Sequence, residues 1–316
     1  VIVVPQPPAL DLTPASPRAV VTVAAGAPGR ELLDASGPAM RAFAARVGAD
    51  FVVLDWPGHE SWPMSAKYAV GRALDHYERI LYADADVLFR DGCVDPFSLC
   101  PPDRIGLCDE LPFHRTQPQH GLERSYVEFR RAFGFRDLPS GSVPWYANAG
   151  VAVIPKEARH LFLPPDFALP PTHLAEQHLL NARLLDGAFP VALLDRRCNW
   201  QNWTDWTWAS APDDAVLHWS GAGFGRRNRA AEIALARTKG SPVTRAAALK
   251  SRTAGLAVVR ASFAARDVRS ARLTICESCP DRKGERCGRC GCSIKTRASR
   301  RDGTCPAGRW PLEVVQ

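Results

Sequence analysis

The front of the chain alternates short apolar runs with segments of helical spacing. AVVTVAAG (Ala19 to Gly26) is a compact apolar run closed by glycine and predicts a buried strand. ELLDASGPAMRAFAARVGAD places Leu32, Leu33, Met40, Phe43 and Val47 near one helical face, with a break expected at Gly37-Pro38. FVVLD (Phe51 to Asp55) predicts a second strand. Ser65 is placed to cap a helix over AKYAVGRALDHY, which leads into a strand from Arg79 to Tyr82. Further on, IGLCDE (Ile105 to Glu110) reads as a strand, SYVEFRRAFGF as a helix and NAGVAVIP (Asn148 to Pro155) as a strand entered through a small-residue turn. AEQHLLNARLLDG is a helix stopped by Gly187, and VALLD (Val191 to Asp195) and AVLHWSG (Ala215 to Gly221) are strands. This succession predicts an α/β fold: a three-layer sandwich with a mostly parallel central sheet and right-handed crossovers. In such sheets ligands sit beyond the carboxyl ends of the strands.

The octapeptide YADADVLF (Tyr82 to Phe89) occupies that position and carries Asp84 and Asp86. In an extended segment side chains at i and i+2 share a side, so the two carboxylates are expected to face one point. Convergent oxygen donors there suit a hard divalent cation such as Mg²⁺ or Mn²⁺, held between the protein and a diphosphate.

At 316 residues and 46% hydrophobic composition, one large core with a small appendage is expected. No apolar stretch approaches the roughly 18 residues of a membrane span. VIVVPQPP is too short an apolar run, and lacks the basic flank, for a signal peptide. The expectation is a soluble cytoplasmic protein, or one peripheral to the inner face of a membrane. The formal charge of +7 is uneven: residues 240–316 hold 16 Lys and Arg against 6 Asp and Glu, a net +10. A basic tail implies phosphate-bearing partners, nucleic acid or anionic head groups, or else a solvated surface. The chain therefore parses into an extended arm (1–18), an α/β domain (19–240), a helical basic linker (241–272) and a Cys-rich module (273–316).

Six of the 10 cysteines lie between Cys276 and Cys305, a clustering that points to metal binding rather than a disulfide framework. Cys276-x2-Cys279 and Cys287-x2-Cys290, followed by Cys292 and Cys305, have the spacing of tetrahedral zinc in a zinc-ribbon-like module. Cys276, Cys279, Cys290 and Cys305 are the expected Zn²⁺ ligands, with Cys287 and Cys292 as alternatives; a disulfide knot or an Fe–S site remains open. NWQNWTDWTW (Asn199 to Trp208) holds four tryptophans in nine positions, read either as an acceptor-side stacking surface or as a buried cluster. Asp205 within it is a candidate partner for an acceptor hydroxyl.

Four patterns in order, D-A-D after a strand, YANAGVAVIP, EQHLLN and HWSG, resemble the family-8 glycosyltransferases of the GT-A fold over roughly residues 19–227. The resemblance implies a nucleotide-sugar donor, a UDP-sugar, and a divalent metal. It implies that Asp84 and Asp86 bind metal together with His218, whose imidazole favours Mn²⁺ over Mg²⁺. Asn148, Ala149 and Gly150 match a turn that approaches the sugar, and Lys67 a base that reaches the donor. Glu176-Gln177 stands where the family usually shows Asp-Gln, near the anomeric carbon. Gly221 to Gly225, with Arg226 or Arg227 as the basic residue, replace its Gly and Lys segment near the phosphates. Retention of anomeric configuration is implied; the acceptor (glycan, lipid-linked saccharide, peptide or protein) is not. Two rivals stand beside this reading: a nucleic-acid- or protein-binding zinc protein on an inactive glycosyltransferase-like scaffold, and a nucleotidyltransferase. GAPGR (Gly26 to Arg30) fits the phosphate loop of the latter only loosely.

Overall fold

The apolar runs become strands buried on both faces. β1 (Arg18–Val23) is flanked by β2 (Asp50–Leu54) and β3 (Arg79–Ala83), both parallel to it. The short β4 (Val87–Leu88) leaves this sheet. β5 (Ile105–Asp109), β6 (Ala147–Pro155) and β7 (Val191–Leu193) complete it in the order β2-β1-β3-β6-β5-β7. The sheet is mostly parallel, as expected. β6 alone is reversed, antiparallel to β3 and β5, a direction that an apolar run does not encode.

This is a computed structural model, and it describes residues 1–60, 62–116, 121–138, 142–172, 174–201, 211–220, 229–239, 266–288, 293–294, 298 and 305. The chain divides into two compact units, residues 1–224 with 228–244, and residues 225–227 with 245–316.

Side-chain alternation makes the front unit three layers thick. Val20, Leu81 and Val153 face one side, where α1 (Gly26–Arg46) lays Met40, Phe43 and Ala44 on them. Ala19, Ile80 and Ile154 face the other, under α2 (Val70–Ala73). α3 (Pro96–Leu99), α4 (Leu111–Thr116) and α5 (Leu122–Ala132) follow, and α6 (Ala175–Leu185) adds Leu180 and Leu184 to the second face. Each fully buried aliphatic side chain here is worth roughly 1.5–3 kcal/mol, which anchors β3 centrally. A second sheet, β4 with β8 (Trp200–Gln201) and β9 (Leu217–His218), stands beside the first. α7 (Arg229–Lys239) lies on α1, where Arg237 donates to the Ala35 carbonyl at 3.1 Å.

Three local expectations are corrected. α1 runs through Gly37-Pro38 without a break. A helical proline costs about 3 kcal/mol, and the packing of Met40, Phe43 and Ala44 on the sheet offsets it, as do the Ser36 hydroxyl's bonds to the carbonyls of Leu32 and Ala85. Ser65 is not a helix cap: it lies inside a 3₁₀ helix, Pro63–Ala69, where its hydroxyl accepts from His59 N (2.7 Å) and donates to Trp62 O (2.8 Å). The last two predicted strands are shorter, Val191–Leu193 and Leu217–His218.

In the rear unit, part of the predicted linker (residues 241–265) lies outside the described residues. A helix, Arg266–Glu277, carries Cys276 near its end, and Cys279 N donates back to Cys276 O at 3.3 Å. The hairpin of β10 (Arg282–Lys283) and β11 (Arg286–Cys287) turns at Gly284, whose φ of +60° favours glycine.

Candidate metal centre

Asp84 and Asp86 converge through a turn, not through the extended alternation expected. Val87 N donates to Asp84 O at 3.0 Å, closing residues 84–87, while Asp84 N donates to Gly150 O at 2.8 Å and ties the turn to β6. β9 then pairs antiparallel with β4, setting His218 opposite Val87, and Trp219 N donates to Asp86 O at 3.0 Å. That register brings an imidazole 132 positions downstream of Asp86 beside both acids. His218 Nε2 lies 3.4 Å from Asp86 Oδ1 and 3.8 Å from Asp84 Oδ2. One ligand atom from each residue lies within 4.8 Å of the others, and Asp86 and His218 are buried. Two carboxylate oxygens and one imidazole nitrogen fit a divalent cation.

Glycine at position 150 is a steric requirement of this centre. A Cβ there would meet His218 Cε1 at 2.2 Å and Asp84 Oδ2 at 2.9 Å. Gly150 sits where the β5–β6 register jumps between Leu107 and Cys108, which pair with Ala152 and Asn148. At this irregularity Gly150 is the residue that comes against His218 and Asp84.

Basic groups surround the acids. Lys67 Nζ is 3.0 Å from Asp84 Oδ2 and 3.6 Å from Glu176 Oε1. Burial would lower the Lys67 ammonium, but Asp84 and Glu176 override it and hold the group above its ordinary range. Arg229 Nη1 bonds Asp86 Oδ2 at 2.6 Å. Burial alone would raise the Asp86 carboxyl; His218, Arg229 and Lys67 outweigh it and hold it below the usual value. The Tyr82 hydroxyl donates to Asp84 Oδ1.

Glu176 is different. It is 7% exposed, its Oε2 has no hydrogen-bond partner among the described residues, and burial pushes its pKa from 4.5 up to about 7 against the pull of Lys67. Between those values the folded chain keeps a proton here that the unfolded chain has lost, so this group makes stability fall as pH rises through that window. Glu176→Gln is expected to flatten that part of the profile in urea unfolding of the metal-free protein from about pH 4.5 to 8. An unchanged slope would assign the titration to another group.

The structure brings Lys67, Asp84, Asp86, Gly150, Glu176 and His218 together. Asn148 and Gln177 join a buried amide network in which Ala149 N donates to Gln177 Oε1 at 3.0 Å. Gly221, Arg226, Asp205 and most of the Trp-rich segment lie outside the described residues, as do Cys290 and Cys292. Among the described residues no cysteine belongs to a group of three or more metal-competent side chains. Sequence reasoning missed Tyr82, Glu110, Asn199 and Arg229. Only Tyr82 and Glu110 had a usable signal, since each sits at the carboxyl end of a predicted strand.

No protein-family model and no curated protein sequence matches the chain. Solved structures similar to it include a glycosyltransferase involved in glycosylation of the major capsid of PBCV-1, with 14% identity over 69% of this chain and 98% of that one, at a TM-score of 0.44. The galactosyltransferase LgtC, in complex with donor and acceptor sugar analogs, gives 17% identity, 70% and 96% coverage and a TM-score of 0.43. Mouse xyloside xylosyltransferase 1 gives 13%, 64%, 97% and 0.38. These neighbours are glycosyltransferases; the chemistry available to this chain is that of its own Asp84–Asp86–His218 centre.

Proposed function

We propose that the front unit is a metal-dependent glycosyltransferase. It moves a hexose from a nucleotide sugar, a UDP-sugar, to a hydroxyl of a glycan, lipid-linked saccharide, peptide or protein, with retention of configuration. What supports this is the convergence of Asp84, Asp86 and His218 at the carboxyl end of the central strand β3, where α/β sheets bind their ligands. These three would hold Mn²⁺, or Mg²⁺. A cation bound there supplies electrostatic stabilisation of the departing diphosphate.

The remaining work falls to the chain's own groups. Lys67 keeps a full positive charge between Asp84 and Glu176. Arg229 holds the outer oxygen of Asp86, leaving Oδ1 turned toward His218. Glu176, near half-ionised at neutral pH, offers an anionic oxygen to positive charge developing on the sugar ring. Ala149 and Gly150 let the backbone approach that ring, with Asn148 and Gln177 beneath them; Gly221 and Arg226 are our candidates for the phosphate contact.

For the rear unit we assign one Zn²⁺ to Cys276, Cys279, Cys290 and Cys305, with Cys287 and Cys292 as alternatives. The CxxC closing a helix and the adjoining hairpin support this reading. Its arginines make it a contact for anionic surfaces or nucleic acid. No described helix is long and apolar enough to cross a membrane, and we place the chain in the cytoplasm or at the inner membrane face.

One preparation tests both metals. A thermal-shift screen of nucleotide sugars should raise the unfolding temperature only when Mn²⁺ is present, and elemental analysis should find about one zinc per chain. Deleting the chain beyond residue 272 should remove the zinc and spare the shift. Nucleotide-sugar binding that ignores Mn²⁺ would sink the first reading, and zinc retained after truncation the second.

A further inference from the structure

His218 can serve as a ligand only if the nitrogen facing the acids is bare, and neutral imidazole can carry its proton on either nitrogen. The surrounding network decides which, starting from a backbone donor that cannot be reversed. Gly150 N–H points at one atom of the Asn148 amide at 2.9 Å, so that atom is the oxygen, Oδ1. The same oxygen receives the neighbouring Asn199 amide at 3.0 Å, so the atom contacting it must be Nδ2. Asn199 Oδ1 is then left facing His218 Nδ1 at 2.8 Å, and only an N–H can satisfy it there. Nδ1 therefore carries an N–H, which leaves Nε2 as the ring nitrogen that faces Asp84 and Asp86 and can be given up to a cation.

The far end of the chain of amides is pinned independently. Asn148 Nδ2 donates to Glu110 Oε2 at 2.9 Å and to Gln177 Oε1 at 3.4 Å. Gln177 Nε2 donates to Glu110 Oε1 at 2.6 Å, while its Oε1 accepts from the backbone of Ala149. Glu110 is 3% exposed and touches none of the three candidate ligands in this network. Every polar position of the Asn148 amide is used. Reversing either Asn148 or Gln177 would set a donor against a backbone N–H.

We propose that Glu110, Asn148 and Asn199 are positioning residues that act as a relay, holding His218 protonated on Nδ1 so that Nε2 is presented to a divalent cation. The inference rests on the metal-dependent reading above and gives Asn148 a role besides contact with the sugar. Outer partners of this kind are worth 10–100-fold in metal affinity.

The test is tautomer-sensitive ¹⁵N NMR of the full-length, metal-free chain labelled at histidine, with the His218 signals assigned by their loss in His218→Gln. Mn²⁺ titration followed by electron paramagnetic resonance accompanies it. His218 should show the Nδ1–H pattern. Asn199→Leu should lose it and bind Mn²⁺ about 10–100-fold more weakly, and Glu110→Gln, which sets a donor against Asn148 Nδ2 or Gln177 Nε2, should also bind Mn²⁺ more weakly. Asn199→Asp, which keeps an acceptor for Nδ1–H, should retain the pattern. Should Asn199→Leu fail to fold, Glu110→Gln decides the matter from the other end. A pattern with the proton on Nε2 and none on Nδ1 in the unaltered chain, or an unmoved tautomer and Mn²⁺ affinity in the folded variants, overturns the relay. A relay that behaves as described in a chain that binds no Mn²⁺ would instead overturn the metal-dependent reading alone.

Discussion

Asp86→Ala is expected to abolish Mn²⁺-dependent turnover of the nucleotide sugar, a loss on the order of 10³-fold or more, because a bound metal supplies several kcal/mol of charge stabilisation. Asp86 Oδ1 is the acidic oxygen nearer His218 Nε2, at 3.4 Å against 3.8 Å for Asp84 Oδ2, so its removal dismantles the donor set at its tightest edge. The same substitution strips Arg229 of the partner it holds at 2.6 Å. Breaking a buried ion pair costs about 3–5 kcal/mol, and part of that loss will appear as a lower unfolding temperature. Asp86→Asn separates the two effects, since the amide keeps an oxygen for the guanidinium while removing the negative charge. We expect it to remain folded by circular dichroism, to bind Mn²⁺ at least about 10-fold more weakly, and to turn over about as poorly as the alanine variant. Donor turnover at the unaltered rate in either variant would remove Asp86 from the centre.

The second large effect is expected at a residue with no functional group. Gly150→Ala would place a methyl carbon 2.2 Å from His218 Cε1 and 2.9 Å from Asp84 Oδ2. Gly150 is not among the glycines with positive φ, so alanine is conformationally acceptable there and the penalty is purely steric. A normal contact requires the imidazole or β6 to retreat by about 1 Å, and a misplacement of that size costs about 10²-fold in rate. Overpacking in a tight core adds about 1–3 kcal/mol of instability. The expected result is a folded protein whose Mn²⁺ affinity and donor turnover both fall by about 10²-fold, measured by paramagnetic resonance titration and nucleotide release. Gly134→Ala is a useful contrast: its φ of +70° strains an alanine, but open space surrounds the added carbon. It should cost stability without touching metal affinity. If Gly150→Ala binds Mn²⁺ normally, the packing of β6 against His218 is looser than these contacts imply.

Much of this was legible in the chain itself. Continuous apolar runs such as AVVTV and RILY can be buried on both faces of a sheet, and they do so as β1 and β3. Asp84 and Asp86 could be found because a strand's carboxyl end is where ligands bind and because acids rarely follow so apolar a run without a partner. Glu176 was visible as a residue type, but its raised pKa was not: burial on all sides comes from packing, not from its neighbours in sequence. The geometry joining the two aspartates was misread, since extended alternation and a tight turn both bring positions i and i+2 together.

By its own periodicity and residue types, then, the sequence determined that the front of this chain would be an α/β sheet with acids at the mouth of a central strand, because burial pattern and local turn chemistry act over a few residues. Only the tertiary structure decided which distant groups would meet those acids. The reversal of β6, the β4–β9 pairing that sets His218 opposite Val87, and the amide chain from Glu110 through Asn148 and Asn199 all depend on contacts across tens of residues. The tautomer of an imidazole is fixed by its hydrogen-bond partner, and here that partner lies 19 positions from His218 and is itself oriented from 51 positions further back.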